Sequence, residues 1–461
     1  MRQFPENFTW GTATSSYQIE GGWLEGGKGL SIWDAFVHTP GKIVDGRTGD
    51  VTCNHFHKYK EDIGLMAKMG LKAYRLSLAW SRIQPTGTGK ANPQGIQFYS
   101  DLIDTLLEHG IEPWITLYHW DLPLALQLEY DGWLNPKMAD FFTEYASICF
   151  EHFGDRVKNW ITFNEAWVVS VLGYGQGVFA PGRKSIAEPY QVGHQILRAH
   201  GHAVDRFRNK FLPTQNGRIG ITNNCDWREP LTDSKKNRDA AERALLFFLG
   251  WFADPIYRGE YPQVMIERVK DRLPRFTADD IELIKGSSDF FGLNHYTGAL
   301  AAHAKDSIVQ SDVYQNGGIS EDQDVNLSSD PSWKQTQMNW NILPWACRKM
   351  LQWIDKRYDH PEIIITENGA AYTDKLVDGA VHDPLRIEFI KSYLTECHNA
   401  INNGVNLTGY FLWSFMDNFE WALGYTRQFG LHYIDMKTGK RIAKTSAKWY
   451  SDVVQNNGFD E

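Results

Sequence analysis

Several features that mark other classes of protein are missing from this 461-residue chain. No run approaches the about 18 consecutive apolar residues of a membrane-spanning helix. The amino terminus has no apolar stretch of roughly 7–15 residues behind a basic start, which a signal peptide would need. The five cysteines are scattered without a CxxC pair, which argues against a disulfide framework. We therefore expect a cytoplasmic protein with reduced thiols.

An excess of positive charge is also missing, because 47 Lys and Arg stand against 56 Asp and Glu, a formal net charge of −9. This balance argues against a nucleic-acid partner and against a basic membrane-binding face. No internal repeat, low-complexity tract or Pro/Gly/Ser-rich linker divides the chain. We expect a single domain over residues 1–461 that acts on a small molecule, and the sequence leaves the oligomeric state open.

Short runs rich in β-branched and aromatic residues alternate with amphipathic helical patterns. The runs lie at residues 7–15, 72–80, 112–120, 159–165, 217–224, 288–296, 362–369 and 408–415. This alternation is typical of a parallel sheet built from βα units. Eight such units predict an α/β fold, a single (β/α)8 TIM barrel with elaborated βα loops, whose active site lies at the strand carboxyl ends. The polar stretch 299–341 is predicted to be a long loop over the barrel mouth.

Two of the predicted strands end on a glutamate. The stretch "WITFNEAW" places Glu165 after a buried run, and "EIIITENG" does the same with Glu367. In a barrel these two side chains can meet at the mouth although they are far apart in sequence. Hydrolysis of a glycosidic bond needs one protonated and one ionised carboxyl group in such a position. The alternative is that both glutamates are structural and pair with arginines such as Arg75.

Other strand ends carry neutral hydrogen-bonding groups and indole rings, together with one more carboxylate. These residues are Gln18, His119, Trp120, Asn164, Asn294, Tyr296, Trp413, Glu420 and Trp421. Directed polar groups beside aromatic faces suit a sugar, whose hydroxyls need partners and whose C–H face packs on rings. No phosphate-binding loop, nucleophile elbow or HExxH histidine spacing is present, so we expect neither a cofactor nor a metal.

Six motifs in this order resemble those of glycoside hydrolase family 1, the retaining β-glycosidases that include β-glucosidases. The motifs are "FTWGTATSSYQIEGG", "YRLSLAWSRIQP", "LYHWDLP", "TFNEAW", "ITENGAAY" and "NFEWALGYTRQFGLHYID". The likeness covers essentially the whole chain. It implies a retaining β-glucosidase with Glu165 as acid/base and Glu367 as nucleophile, whose carboxyl groups lie about 5–5.5 Å apart.

The same resemblance implies roles for the residues around the two glutamates. Arg75, Asn294 and Tyr296 are expected to orient the nucleophile and keep it ionised. The glycone-binding residues are expected to be Gln18, His119, Trp120, Asn164, Trp413, Glu420 and Trp421. The aglycone-binding residues are expected to be Trp167, Leu172, Asn223 and Trp340. Because Glu420 would repel a 6-phosphate, the resemblance favours unphosphorylated glucosides.

Three other readings of the sequence stay open. Glu420 can reach either epimer at C4, so β-galactosidase or β-fucosidase activity on the same scaffold is an alternative. A non-catalytic sugar-binding barrel is another, although such relatives typically lack one catalytic glutamate and both are present here. An unrelated barrel enzyme, such as an aldolase, would need a lysine or metal ligands at the strand ends, and the motifs show neither.

Overall fold

The eight predicted runs form the strands of one closed parallel barrel. The structure is a computed structural model that describes residues 2–304 and 320–460. Within these ranges eight barrel strands follow in chain order, where each strand pairs with the next and the last pairs with the first. They are β1 Thr9–Ala13, β2 Ala73–Ser77, β3 Glu112–Tyr118, β4 Asn159–Asn164, β5 Arg218–Asn224, β6 Phe291–Asn294, β7 Ile363–Asn368 and β8 Leu407–Trp413. The predicted (β/α)8 barrel is confirmed.

A helix follows each barrel strand in the chain. These helices are α1 His55–Lys68, α2 Pro93–Glu108, α3 Met138–Phe153, α4 Glu188–Arg206, α5 Lys235–Leu245, α6 Pro344–Arg357, α7 Pro384–Asn402 and α8 Thr445–Asn456. Their starts follow local rules, as in α2, where the Asn92 side chain accepts a hydrogen bond from the Gln94 amide at 3.3 Å and Pro93 opens the helix. The sequence predicted a helical pattern at each of these places.

Large side chains fill the interior of the barrel at the amino ends of its strands. Trp114 lies with its ring centroid 5.2 Å from that of Phe411 and 5.6 Å from that of Phe290. Gly11 leaves space for this packing, because a Cβ there would lie 2.5 Å from the Phe411 ring. The interior is thus a packed core, and open space remains at the carboxyl ends of the strands.

The stretch predicted to be a long loop is partly folded, so that prediction is wrong for residues 299–303, 320–323 and 325–328. Strand Gly298–His303 pairs with Val325–Ser328 on one side and with Trp227–Pro230 on the other. The short strands escaped sequence reasoning because each holds only four to six residues. Residues 305–319 of the predicted loop lie outside the described residues.

A buried cluster of ion pairs joins the loops that follow β7 and β8. The Lys444 ammonium group donates to Asp417 at 2.6 Å and to Asp374 at 2.5 Å, and Arg386 also donates to Asp374, at 2.8 Å. Removing one partner of such a buried set leaves an uncompensated charge, which costs about 3–5 kcal/mol. The cluster therefore fixes the loop that begins at Ser414 against the loop that follows Asn368.

Several sequence expectations concern the chain as a whole. The five cysteines are buried and free. No helix in residues 2–304 and 320–460 is long and apolar enough to cross a membrane. The interpretation of residues 1–461 as one domain stays a prediction.

Candidate active site

A cavity of about 720 Å³, counting its solvent-open part, lies at the carboxyl ends of the barrel strands. Twelve of the sixteen predicted site residues line it: His119, Trp120, Glu165, Trp167, Leu172, Asn294, Tyr296, Trp340, Glu367, Trp413, Glu420 and Trp421. Four others are buried but do not line it: Gln18, Arg75, Asn164 and Asn223. Among the described residues, no lysine or arginine lines this cavity, so its charge comes from carboxylates.

Glu367 is held by a cation and a hydroxyl. It lies near the end of β7, where Arg75 of β2 donates to Oε1 at 2.6 Å and the Tyr296 hydroxyl donates to Oε2 at 2.7 Å. Burial has the largest effect and leaves the pKa of Glu367 raised overall, while the charge of Arg75 and both hydrogen bonds lower it and limit this rise. These donors therefore favour the ionised form of Glu367 and fix the direction of both carboxylate oxygens.

Glu165 has a different environment. It follows β4 with φ +53°, a left-handed conformation that turns the chain from the strand into the next helix. Asn294 donates to its Oε1 at 2.6 Å. Burial and the negative charge of Glu367 raise the pKa of Glu165 well above its usual range. Glu165 is therefore the carboxyl that holds the proton, and the pair has the opposite protonation that an acid and a nucleophile need.

Asn294, which was expected to orient the nucleophile, acts on both glutamates. Its amide nitrogen donates to Glu165 and, at 3.0 Å, to the side-chain oxygen of Asn164. Its hydrogen bonding also lowers the pKa of both glutamates. Asn294 thus lies between the two carboxyls, and its role as an orienting residue for Glu367 stays a prediction.

Asn164 fixes the proton position on His119 although it does not line the cavity. Its side-chain oxygen accepts from Arg75 at 2.6 Å, so its amide nitrogen must be the atom that faces His119 Nε2 at 3.1 Å. Nε2 therefore accepts and the proton lies on Nδ1. Burial lowers the pKa of His119, so the ring is neutral. Nδ1 is buried and has no hydrogen-bond partner among the described residues, which leaves a donor for a ligand.

The opposite wall of the cavity carries a third carboxyl and the indole rings. Burial raises the pKa of Glu420 to about 8, and its Oε2 has no partner in the described part of the chain. The Trp421 ring lies parallel to that of His119, with centroids 5.9 Å apart, and 4.5 Å from that of Trp120. Ligand hydroxyls can bind Glu420 while the C–H face of a ring packs on the indoles.

Two predicted residues lie behind this wall. Gln18 donates to the Asn418 side chain at 3.1 Å and to the Phe419 carbonyl at 2.9 Å, and so supports the chain that leads to Glu420. Asn223 is buried in β5, while its neighbour Asn224 lines the cavity. Their predicted contacts with a ligand are not tested by this geometry.

Six residues of the cavity wall escaped sequence reasoning. They are Val168, Phe179, Asn224, Asp226, Phe248 and Phe429. Asn224 is the last residue of β5. The expectation that polar residues at strand carboxyl ends line the site therefore applied to Asn224 as well. The phenylalanines lie in helices and loops, where no pattern separates a residue of the wall from one of the core.

In the described residues, no group of three or more His, Cys, Asp or Glu side chains is arranged to hold a metal ion. The cavity is thus defined by carboxyl, amide, imidazole and hydroxyl groups together with aromatic rings. Two carboxyls of opposite protonation in one cavity at the mouth of a closed (β/α)8 barrel are the groups that a glycoside hydrolase needs.

Residues 1–459 match the model of glycosyl hydrolase family 1, and the chain belongs to this family. Beta-glucosidase A of Thermotoga maritima is 46% identical over the full length of both chains. Beta-glucosidase 42 of Arabidopsis thaliana is 48% identical over 97% of this chain and 93% of its own. The solved family 1 β-glucosidase from Thermotoga maritima has a TM-score of 0.93 and 45% identity, covering 100% of this chain and 99% of its own.

Replacing Tyr296 by phenylalanine removes one hydrogen bond that lowers the pKa of Glu367. The pKa of Glu367 then rises, and a higher pH is needed to ionise it. For Tyr296→Phe we expect the acid limb of the kcat/KM profile on an aryl β-glucoside to move to higher pH. At the optimum kcat/KM should fall about tenfold, the usual effect of losing a hydrogen bond to a charged group.

Tyr433→Phe is the matched control, since Tyr433 does not line the cavity. Its pH profile should equal that of the unmodified enzyme. An acid limb that stays in place in Tyr296→Phe would show that this hydroxyl does not influence the ionisation of Glu367.

Proposed function

We propose that this glycosyl hydrolase is a retaining β-glucosidase. It removes terminal non-reducing β-D-glucosyl units from cello-oligosaccharides or from aryl and alkyl β-glucosides. The observation that supports this best is the pair of buried carboxyls, in which burial and the charge of Glu367 raise the pKa of Glu165. A double displacement requires this division into a proton donor and an ionised nucleophile.

In the first step the carboxylate of Glu367 attacks the anomeric carbon. The proton of Glu165 moves to the glycosidic oxygen, the bond between that oxygen and the anomeric carbon breaks, and the aglycone leaves as an alcohol. The sugar remains bound to Glu367 as an ester. Arg75 and Tyr296 hold the attacking carboxylate in place without forming bonds to the sugar.

In the second step water attacks the anomeric carbon, and the ester bond between that carbon and Glu367 breaks. Esterification removes the negative charge of Glu367, and with it one of the two main causes of the raised pKa of Glu165. Glu165 is ionised after the first step and now keeps its charge more easily, so it can take a proton from the incoming water. Two displacements at one carbon give retained configuration, for which we expect a carboxyl separation of about 5–5.5 Å.

The remaining wall provides directed contacts for a glucosyl unit. His119 offers a donor at Nδ1, and Glu420 offers an unpartnered carboxyl oxygen. Trp413 and Trp421 border the same space. We assign these four residues to the glycone subsite, and Trp167, Leu172 and Trp340 to the aglycone side.

The names of relatives agree with this assignment. Two further relatives from Thermotoga neapolitana, 46% and 45% identical to this chain, are called 1,4-beta-D-glucan glucohydrolase. The Thermotoga maritima β-glucosidase has been solved with glucoimidazole and also with galacto-hydroximolactam. The second complex is the reason to retain β-galactosidase or β-fucosidase activity as an alternative. A cytoplasmic location stays a prediction from the sequence.

An activated 2-fluoro-β-glucoside tests the nucleophile directly. The fluorine slows both steps, and a good leaving group lets the first one proceed, so the glycosyl-enzyme accumulates. We expect peptide mass spectrometry to find one fluoroglucosyl group, on Glu367. Glu367→Ala should take up no label and should lose essentially all turnover of an aryl β-glucoside.

The matched control is Glu362→Ala, which changes a partly exposed carboxylate just before β7 that pairs with Arg218. This variant should still be labelled and active. In the same assay the aryl β-glucoside should have a higher kcat/KM than the matched galactoside and fucoside. Label on another residue contradicts the assignment, and a higher value on the galactoside or fucoside selects the alternative activity.

Glu420 predicts discrimination against phosphorylated sugars. A 6-phosphate near Glu420 would be buried beside a carboxyl, in a wall where no described lysine or arginine compensates its charge. We expect kcat/KM for an aryl β-glucoside to exceed that of its 6-phosphate by at least about 100-fold, or about 2.7 kcal/mol. The ratio should grow as the pH rises through about 8, where Glu420 becomes charged.

Glu420→Gln is the control for charge, because it keeps the size of the side chain. In this variant the ratio should be smaller and should no longer increase with pH. Equal turnover of the phosphorylated and plain substrates by the unmodified enzyme would refute the role of Glu420.

A further inference from the structure

Thr366 is fully buried and lies directly before Glu367 in β7, yet it does not line the active-site cavity. In a regular strand consecutive side chains point to opposite faces. The pairing of β7 with β6 shifts its register between Ile365 and Glu367, and Thr366 is the extra residue. Such a bulge changes the direction of a side chain. It allows Thr366 and Glu367 both to form side-chain hydrogen bonds at the catalytic end of the barrel.

The Thr366 side chain holds the oxygen of the Asn294 amide. Its hydroxyl donates to Oδ1 of Asn294 at 2.8 Å, and it accepts a hydrogen bond from the hydroxyl of Thr222 in β5 at 3.2 Å. A hydroxyl has only one proton to donate. Because Thr222 supplies its own proton to the Thr366 oxygen, the proton of Thr366 remains available for Asn294. The oxygen of the Asn294 amide therefore faces Thr366, and its nitrogen faces away.

The direction of this amide determines what Glu165 meets. The Asn294 nitrogen donates to Oε1 of Glu165 at 2.6 Å and to Oδ1 of Asn164 at 3.0 Å. An amide turned the other way would present its oxygen, which can bind a protonated carboxyl but not a carboxylate. The nitrogen suits both forms, since an N–H group can donate to either. Glu165 needs this partner because it must give up a proton and later take one back.

Asn164 supports the same orientation from the other side. Its side-chain oxygen accepts from Arg75 at 2.6 Å, so this oxygen can receive the Asn294 N–H but cannot donate to it. Asn164 thus binds the nitrogen of the Asn294 amide, whereas Thr366 binds its oxygen. Without the Thr366 hydroxyl the buried amide oxygen loses this donor, and the amide is held at one end only.

We propose that Thr366 is a positioning residue for the acid/base Glu165 and that it acts through the side-chain amide of Asn294. This inference rests on the proposed function. The hydroxyl of Thr366 serves the steps in which Glu165 moves a proton. The attack by Glu367 depends on it less, because Arg75 and Tyr296 hold that carboxylate directly.

Thr366→Val tests this role, since valine keeps the shape of threonine and removes the hydroxyl. The test compares kcat/KM, which reports the first displacement, on methyl β-glucoside and on dinitrophenyl β-glucoside. Methoxide is a poor leaving group that needs the proton of Glu165, whereas dinitrophenolate can leave without it. We expect kcat/KM to fall about tenfold on the methyl glucoside, the effect of one hydrogen bond to a charged group. On the dinitrophenyl glucoside it should fall less than about threefold.

The pH profile gives a second readout on the methyl glucoside. The hydrogen bond from Asn294 lowers the pKa of Glu165, so a weaker bond raises this pKa. The other groups that act on Glu165 are unchanged in the variant; they are Glu367, Arg75, Asp226 and Tyr296. Glu165 then keeps its proton to a higher pH, and the basic limb of the kcat/KM profile of Thr366→Val should move to higher pH.

Three further variants complete the test. Thr366→Ser keeps the hydroxyl and should restore most of the activity on the methyl glucoside. Thr366→Ala removes the same hydroxyl in a smaller side chain and should show the same selective loss, so it replaces the valine variant if that one does not fold. Thr143→Val is the matched control, because the Thr143 hydroxyl donates to the Ala139 carbonyl within α3, and both rates should stay unchanged.

An equal fall on both glucosides, no fall on the methyl glucoside, or a serine variant as impaired as the valine variant would overturn the role of Thr366. In each of these cases the unmodified enzyme still cleaves the two glucosides, so the proposed function stands. If the unmodified enzyme cleaves neither glucoside, the proposed function itself fails.

Discussion

The ion pair between Arg75 and Glu367 is the interaction on which the rest of the site depends. Arg75 is almost completely buried; its Nη1 donates to Glu367 and to the Thr366 carbonyl, and its Nη2 donates to Asn164. Its charge lowers the pKa values of Glu367, Glu165 and His119. Without it, burial would favour the neutral form of both glutamates, and the cavity would contain no ionised nucleophile.

The same ion pair links strands that are distant in sequence. Arg75 belongs to β2, Asn164 to β4 and Glu367 to β7. One guanidinium group on β2 therefore holds side chains of two other strands in place. Asn164 in turn donates a hydrogen bond to Nε2 of His119, so the proton of His119 lies on the other ring nitrogen, Nδ1. Buried side chains that do not line the cavity thus set the protonation of those that are proposed to touch the sugar. The buried ion pair between Lys444 and Asp417 likewise holds in place the loop that carries Glu420.

Much of this arrangement could be predicted from the sequence. The parallel strands appear in it as short apolar runs, and the carboxyl ends of these strands converge at one end of the barrel. That rule found Glu165, Glu367 and most of the wall. It could not find Phe179 or Phe248, since tertiary packing brings their loop and helix to the cavity. Nor could it reveal the left-handed backbone of Glu165, Trp120 and Trp421. Such a conformation costs about 1–3 kcal/mol at a non-glycine residue and depends on the surrounding structure.

The central claim is that the negative charge of Glu367 keeps the proton on Glu165. The most direct measurement is a carbon NMR titration of glutamate carboxyl groups, with Glu165 assigned by its disappearance in Glu165→Gln. The pKa of Glu165 should be lower in Glu367→Gln than in the unmodified enzyme, because the neutral amide removes the repulsion. A pKa of Glu165 that stays the same or rises in Glu367→Gln would contradict the account.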